Sequence, residues 1–166
     1  VFYNLVTRGG GAVIEDLVKL LDDAEIRYCV IGGQAVNHYV EPLVSLDLDL
    51  VVATERLDEA EKLLADRFEA RRFPRSINVT PERSDLRIQV HTDPRYGDYV
   101  NRAVAGNVLG IPMSVADKRD LLQGKVWAAR RPSKRQKDLV DIARLVEDDP
   151  TLKPLVPPEI MNRIEA

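Results

Sequence analysis

The stretch of sequence that decides the fold runs from Ile31 to Val52 and reads IGGQAVNHYVEPLVSLDLDLVV. Near its end, Asp47 and Asp49 alternate with leucines, which is the pattern of a strand that buries one face. Side chains two positions apart on a strand point to the same side of the sheet. The pattern therefore predicts a strand over Leu46–Val52 that is anchored on a core and projects two carboxylates together.

Paired carboxylates on one face repel each other, and each disfavours the ionisation of the other. A divalent cation would offset this repulsion. Mg²⁺ suits such oxygen ligands, because it usually takes one or two carboxylates together with substrate phosphates. An edge strand with its polar face in water would carry the same D-x-D pattern, so the motif alone leaves both interpretations open.

Gly32 and Gly33 stand between an apolar run, Ile26–Ile31, and a short helical segment, Gln34–Tyr39. A glycine pair at this point lets the backbone approach a ligand closely. The start of the helix would then offer N–H groups and a positive dipole end to a phosphate. A tight turn without a ligand would also use two glycines. The order strand, Gly-Gly, helix and D-x-D strand is more specific than either motif by itself.

Apolar periodicity predicts the remaining secondary structure. We expect helices over Ala12–Ala24, Glu55–Arg67, Tyr96–Val104 and Lys137–Val146, and strands over Ser76–Thr80, Asp85–His91 and, as a short strand or extended link, Asn107–Pro112. Gly9–Gly11 is expected to be a flexible joint, and Ser114 the N-cap of a C-terminal helix. These elements predict an α+β fold, a small mixed sheet flanked by helices. We expect one core over residues 12–112 and a helical C-terminal part over residues 113–166.

Composition limits the classes of function. The 166 residues have an ordinary globular balance, with 45% hydrophobic and 31% charged side chains. The net charge of −3 argues against a general polyanion binder. Local basic clusters occur nevertheless: Arg71, Arg72 and Arg75 form one, and residues 118–137 carry another. Such clusters suit a triphosphate or an RNA backbone, or are ordinary solvated helix faces.

The single cysteine, Cys29, excludes an internal disulfide and a cysteine-based zinc site. Its apolar neighbours predict a small core residue. Trp127 is expected to pack in the core or against a helix, and His38 to lie on a helix surface. No apolar run approaches the roughly 20 residues that span a bilayer, and no secretory signal is recognised. We therefore expect no membrane association and a cytoplasmic location.

The Gly32-Gly33 turn and the D-x-D strand with Asp47 and Asp49 together resemble the hallmark of the nucleotidyltransferase superfamily. The chain looks like the small bacterial members related to the AbiEii-type abortive-infection toxins. The resemblance implies that Asp47 and Asp49 are catalytic and bind Mg²⁺, with two ions, while Gly32 and Gly33 hold the triphosphate. Many relatives carry Thr two residues before the first Asp, and Ser45 occupies that place here as a nucleotide contact.

Two positions depart from the pattern of this superfamily. Many relatives carry an Arg where this chain has Leu43. The family usually adds a third acidic residue on a later strand, and the matching position here is Gln89, which cannot act as a general base. Asp85 and His91 lie on the same predicted face and are candidates to substitute for it.

The C-terminal segments extend the resemblance. Asp120–Lys125 and Lys134–Asp141 look like the L-x-x-K and K-D-x-x-D motifs that often follow in the toxin-like members. The resemblance implies that Lys125 contacts the nucleotide phosphates and that Asp138 orients this lysine or the acceptor. Asp141 lies one helical turn further on, on nearly the same face. Both aspartates would equally fit a solvated helix face.

The resemblance implies an enzyme that moves a nucleoside monophosphate from an NTP to a hydroxyl acceptor. We expect RNA or protein as the acceptor, with a toxin-like role and an antitoxin as partner. A small antibiotic-type molecule is the alternative acceptor. A degenerate module that binds nucleotide or a partner without turnover is a further alternative, favoured by Gln89 and Leu43. A homodimer is expected only from its general frequency among oligomers.

Overall fold

The computed structural model describes residues 9–131 and 136–166. Within them, seven strands form one mixed sheet: β1 (Tyr28–Ile31), β2 (Asp47–Val52), β3 (Glu69–Phe73), β4 (Ser76–Thr80), β5 (Arg87–His91), β6 (Val104–Val108) and β7 (Ile111–Val115). The helices are α1 (Gly10–Asp23), α2 (Gly32–Tyr39), α3 (Leu57–Arg67), α4 (Lys118–Ala129), α5 (Gln136–Asp148) and α6 (Pro158–Glu165). Short 3₁₀ segments cover Thr54–Arg56, Pro94–Arg102 and Pro150–Leu155. The predicted α+β architecture, a mixed sheet flanked by helices, is confirmed.

The order of the strands places β2 at the middle of the sheet: β3-β4-β5-β2-β1-β7-β6. Strand β2 pairs antiparallel with β1 and parallel with β5. Leu48 and Leu50 of β2 are fully buried, as the alternation predicts. Asp47 and Asp49 therefore point to the opposite side, where β5 lies beside them.

The single cysteine and the single tryptophan both pack against other side chains of the fold. Cys29 on β1 is fully buried, and burial raises the pKa of its thiol to about 12. Trp127 stacks on Tyr99, with ring planes 14° apart, and packs edge-on against Tyr96. Both residues pack as the sequence predicts. None of the helices in the described ranges has the length and apolar character that crossing a membrane requires.

Two expectations about helix boundaries are wrong. Gly10 and Gly11 belong to α1, and Gly9 caps the helix in a left-handed conformation, so the glycine run is not a joint. Ser114 lies in β7 and not at a helix start. The N-cap of α4 is Asp117, whose side chain accepts a hydrogen bond from the backbone N–H of Arg119. The pairing of β7 with β1 and β6 overrides the local capping pattern at Ser114.

Other elements differ in type or extent. The segment expected to be a helix over 96–104 is 3₁₀ over Pro94–Arg102. The expected strand near 107–112 is the hairpin β6–β7, with Leu109 and Gly110 in left-handed conformations at its turn. Strand β7 runs across the expected boundary between residues 112 and 113. The division into a core and a helical C-terminal part stays a prediction. Strand β3 was not expected.

Candidate functional site

The two aspartates of β2 lie together at the edge of a cavity of about 530 Å³. Their side chains are half-buried, with 33% of Asp47 and 19% of Asp49 exposed. Strand β5 sets their neighbours, because Asp47 is in register with Arg87, and Asp49 with Gln89. The pair is therefore a feature of the centre of the sheet and not of an edge strand.

Two basic side chains of the chain itself compensate the carboxylate of Asp47, and a histidine contacts that of Asp49. The Nε of Arg87 donates to Oδ1 of Asp47 at 2.6 Å, and Nζ of Lys137 lies 3.5 Å from Oδ2 of the same residue. The Nε2 of His91 is 2.8 Å from Oδ1 of Asp49. Arg87 is 75% and Lys137 50% exposed, so both side chains can leave Asp47 at little cost when a cation or phosphate arrives.

Helix α2 begins directly at the end of β1, and Gly32 makes this possible. Its φ is +72°, a left-handed conformation that side chains disfavour. A Cβ atom at this position would lie 2.6 Å from Oδ2 of Asp49. The glycine therefore lets the Asp49 carboxylate pack against the first turn of the helix. Gly33 is less constrained, since a Cβ there would be 3.9 Å from Oγ of Ser45.

Replacing Gly32 by alanine is expected to destabilise the protein more than the same change at Gly110. Both residues have positive φ, which costs an alanine about 1–2 kcal/mol. Only Gly32 has a neighbour in the way, since nothing lies within 4 Å of a Cβ at Gly110. The clash adds roughly 1–3 kcal/mol. Urea unfolding of the two variants measures the difference in their free energies of unfolding. Equal decreases would show that a Cβ at position 32 does not clash with Asp49.

The segment before β2 is held by polar side chains of α2. The buried Gln34 donates from its Nε2 to the backbone carbonyl of Ser45 at 2.9 Å. The Oγ of Ser45 accepts from the backbone N–H of Asp47 at 3.2 Å. Asn37 bonds both the N–H and the carbonyl of Leu43, at 3.0 and 2.7 Å. These bonds fix the loop that leads into the D-x-D strand.

A buried charge cluster connects α4 and α5 beneath the site. Nζ of Lys125 forms an ion pair with Oδ2 of Asp141 at 2.7 Å and donates to Oδ1 of Asp138 at 3.4 Å. All three side chains are at least nine-tenths buried. Nη1 of Arg144 bonds Oδ1 of Asp141 at 2.9 Å, and its Nη2 bonds Oδ1 of Asn37 at 3.1 Å. The solvated-face interpretation of the two aspartates is therefore wrong.

Lys125 and Asp138 line a second, smaller cavity of about 90 Å³, whose wall also includes Gly32, Asp49 and His91. The structure thus brings Lys125 and Asp138 into the cavity that Asp49 also lines, although they are distant from it in sequence. The closer partner of Lys125 is Asp141, whereas the resemblance assigned the role of orienting this lysine to Asp138. Lys134, which begins the second C-terminal motif, lies outside the described residues.

Gln89, which the resemblance matches to the third acidic residue, is in register with Asp49. Its Nε2 donates to Oγ of Ser76 and Oδ1 of Asn78, at 3.3 and 3.2 Å. Asp85 precedes β5 and lines neither of the two cavities. In the described ranges, no group of three or more His, Cys, Asp or Glu side chains is placed to hold a metal ion. A metal here would rely on Asp47, Asp49 and oxygens of the substrate, a donor set that fits Mg²⁺.

Sequence reasoning missed the cations that surround Asp47. Arg87 could have been found, since it alternates with Gln89 on a predicted strand and so shares its face. Lys137 had no such signal, because its approach to Asp47 depends on the packing of α5 against the sheet. His38 lies half-buried on α2, and its Nδ1 accepts from the N–H of Asn107 at 3.4 Å, away from the site.

Comparisons with known proteins support this geometry at the level of the fold. No protein-family model matches the sequence, and no curated protein matches it significantly. Solved structures do match. The antibiotic-resistance factor ANT(2″)-Ia superposes with a TM-score of 0.63 at 13% identity, over 87% of this chain and 89% of that chain. An antigenic nucleotidyltransferase-like protein from Paracoccidioides brasiliensis gives 0.58 at 19% identity, over 82% and 74%.

A third solved structure is the lincosamide antibiotic adenylyltransferase LnuA, with a TM-score of 0.54 at 14% identity, over 80% of this chain and 93% of that chain. The three proteins bear different names and share one architecture. At these identities the similarity is one of fold. The chain has the fold of the nucleotidyltransferases.

Proposed function

We propose that the chain is a metal-dependent nucleotidyltransferase that moves a nucleoside monophosphate from an NTP to a hydroxyl acceptor. One observation carries this proposal: the Asp49 carboxylate packs against Gly32 at the start of α2, beside Asp47. Carboxylates that hold a metal and a helix start that accepts phosphate are thereby adjacent. To bind a triphosphate together with its metal, a site needs the metal-binding carboxylates and the phosphate-binding helix start next to each other.

Asp47 and Asp49 would hold Mg²⁺, which when bound supplies charge neutralisation on the triphosphate and activation of the acceptor hydroxyl. The acceptor oxygen forms a bond to the α-phosphorus while the bond from that phosphorus to the bridging oxygen breaks, and pyrophosphate leaves. The chain contributes by binding and orienting the reactants. Gly32, Gly33 and Ser45 would position the phosphates.

The cations of the site would take separate roles. Lys137 and Arg87 are exposed and close to Asp47, so they can turn from the carboxylate to phosphate oxygens. Lys125 is held by Asp138 and Asp141, and would present a fixed positive charge at the small cavity. In this arrangement Asp138 acts by orienting Lys125.

The acceptor proton has several candidate recipients. His91 stands beside Asp49, Asp138 lines the small cavity, and Asp85 lies further off, before β5. Gln89 cannot accept the proton. Direct release to water would give a slow enzyme, and this remains one of the candidates.

A small-molecule acceptor is the second candidate, because two of the matching structures are of proteins described as antibiotic-modifying or antibiotic-resistance factors. The degenerate binding module is favoured by one observation, the use of the Gln89 amide to bond Ser76 and Asn78. A toxin that is controlled by an antitoxin would use the same transfer reaction, so this role concerns the biological function and not the chemistry. Growth arrest on expression that Asp47→Ala abolishes would support it.

Label transfer tests the proposed function. The purified protein is incubated with Mg²⁺ and each α-labelled NTP, first with total RNA and then with a panel of aminoglycosides and lincosamides. We expect covalent label on an acceptor, lost in Asp47→Ala and retained in Asp66→Ala, which removes an exposed carboxylate on α3. Nucleotide binding without transfer to any acceptor would contradict the enzyme and support the binding module.

A further inference from the structure

The side of the sheet that carries Asp47 and Asp49 continues beyond them over three more strands. Residues directly opposite each other on neighbouring strands share a face. Asp49 is in register with Gln89, Gln89 with Asn78, and Asn78 with Arg71. These four residues therefore form one polar row that runs from the catalytic centre to the outer strand β3. We name this surface, together with Phe73, Thr80 and Arg87, the β3–β5 face.

The row is long enough for an extended ligand. It crosses three gaps between strands, each about 4.8 Å wide, so Arg71 lies roughly 14 Å from Asp49 in the plane of the sheet. The cavity of about 530 Å³ opens on this surface and is lined by Asn78, Thr80 and Arg87 as well as the two aspartates. A ligand on the β3–β5 face would thus lead directly into the site.

With Mg²⁺ on the two aspartates, as the proposed function requires, the β3–β5 face suits a polyanion, because three basic side chains then stand against one acidic side chain. Arg71 is exposed at its far end, and Arg87 and Lys137 stand at its catalytic end. Glu69 is the acidic side chain of β3 on this side, and Asp47 and Asp49 are the acidic residues at the other end. Between them lie neutral amide and hydroxyl groups, of Asn78, Gln89 and Thr80.

An aromatic ring lies next to the outer arginine. Phe73 is 38% exposed, so part of its ring is open to solvent. It shares the face of Arg71, two residues before it on β3, and the Arg71 guanidinium lies 5.0 Å from the centre of its ring. An exposed ring beside an arginine offers a surface on which a base can stack while the arginine meets a phosphate.

We propose that the β3–β5 face binds a single-stranded polynucleotide and that the acceptor of the transfer is its 3′ hydroxyl. This assignment rests on the proposed function and specifies its acceptor class. The 3′ oxygen bonds to the α-phosphorus of the NTP, the bond from this phosphorus to pyrophosphate breaks, and the hydroxyl proton passes to solvent or a base of the site. Phe73 would stack a base, and Arg71 and Arg87 would contact phosphates.

Length and chemistry favour this ligand over a small acceptor. A single drug-sized molecule at the carboxylates has no use for an arginine and a ring roughly 14 Å away. Single strands are bound in general through basic side chains along the backbone and through exposed aromatic rings. This face offers Arg71 and Arg87 for the first and Phe73 for the second. The basic cluster at 71–75 thereby divides by face: Arg71 is on the β3–β5 face, and Arg72 points to α3, where it pairs with Glu61.

Arg71 and Arg72 give a matched pair of variants, because they are adjacent, equally charged and on opposite sides of β3. The probe is a fluorescent single-stranded RNA of about 12 nucleotides with a free 3′ hydroxyl, titrated by anisotropy at several salt concentrations. Arg71→Ala should weaken binding about 5–10-fold and reduce the salt slope by about one. Phe73→Ala should weaken binding about 5–100-fold through lost stacking. Arg72→Ala should stay within twofold of wild type.

Each outcome decides the proposal. Equal effects of Arg71→Ala and Arg72→Ala, or no RNA binding by the wild type, would overturn it. Label transfer to an antibiotic but not to the RNA would overturn it in favour of a small acceptor. If the wild type binds RNA through Arg71 and Phe73 but transfers no label, the proposed function fails while the binding surface stands. Circular dichroism of the three variants excludes unfolding as the cause of weaker binding.

Discussion

Replacing Asp49 by asparagine is expected to lower nucleotide transfer by roughly 10²–10³-fold, the size of effect seen when one preorganised charge-stabilising group is removed. Asp49 occupies the position at which the start of α2 and the neighbouring strand β5 come together, and where the proposed metal would bind. Asparagine keeps the shape of the side chain and removes its charge. The loss should appear in kcat/KM under label transfer, and Mn²⁺ binding followed by electron paramagnetic resonance should weaken in parallel.

The matched control is Asp66→Asn, which makes the same chemical change on exposed α3. It should leave transfer and Mn²⁺ binding unchanged. Asp49→Asn also loses the charged partner of His91, so its free energy of unfolding must be measured alongside. Activity within tenfold of wild type in a folded Asp49→Asn protein would show that the carboxylate pair is not the metal site.

The largest loss of stability is expected for Lys125→Met. Methionine fills a similar volume but leaves Asp138 and Asp141 buried without their shared cation. Removing one partner from a buried ion pair costs about 3–5 kcal/mol, because the remaining charge stays in a poor solvent. Urea unfolding monitored by circular dichroism should show this decrease in the free energy of unfolding.

Lys118→Met supplies the comparison on the same helix. Lys118 pairs with Asp149 at 3.1 Å in a partly exposed position, so its loss should cost no more than about 1 kcal/mol. The double variant Lys125→Met/Asp141→Asn should recover part of the stability lost in the single variant, since it removes one of the stranded charges. Equal losses for Lys125→Met and Lys118→Met would mean that water reaches the buried cluster.

The parts of the fold that the sequence predicts are those with a local signal. The alternation around Asp47 and Asp49 is complete within six residues, and the buried leucines enforce it. Strand β3, which reads EARRF, has no such signal, because an outer strand exposes most of its side chains and owes its conformation to pairing with β4. The local pattern at Ser114 predicts a helix start, but long-range pairing makes it a strand.

The candidate site shows the same division. Gly32 and the carboxylate pair can be predicted from the sequence, because they lie in one continuous segment with recognisable turn and strand patterns. The cations that meet the carboxylates come from β5 and α5, and only the register of β2 with β5 and the packing of α5 bring them there. Likewise, helical spacing puts Asp138 and Asp141 on one face, but only the packing of α4 against α5 decides which of them is closer to Lys125.

The central strand β1 has a consequence for how the molecule folds. Val30 pairs on one side with Leu50, close in sequence, and on the other with Val115, about half the chain away. Contacts between residues so far apart form slowly, because a long loop must be closed before they contribute. During synthesis, a growing chain can form the antiparallel β1–β2 pair early, but it cannot complete the centre of the sheet until β7 has left the ribosome. The paired carboxylates would therefore exist before Arg87 and Lys137 are in place to balance them, and β1 would keep one edge unpaired until β7 is available.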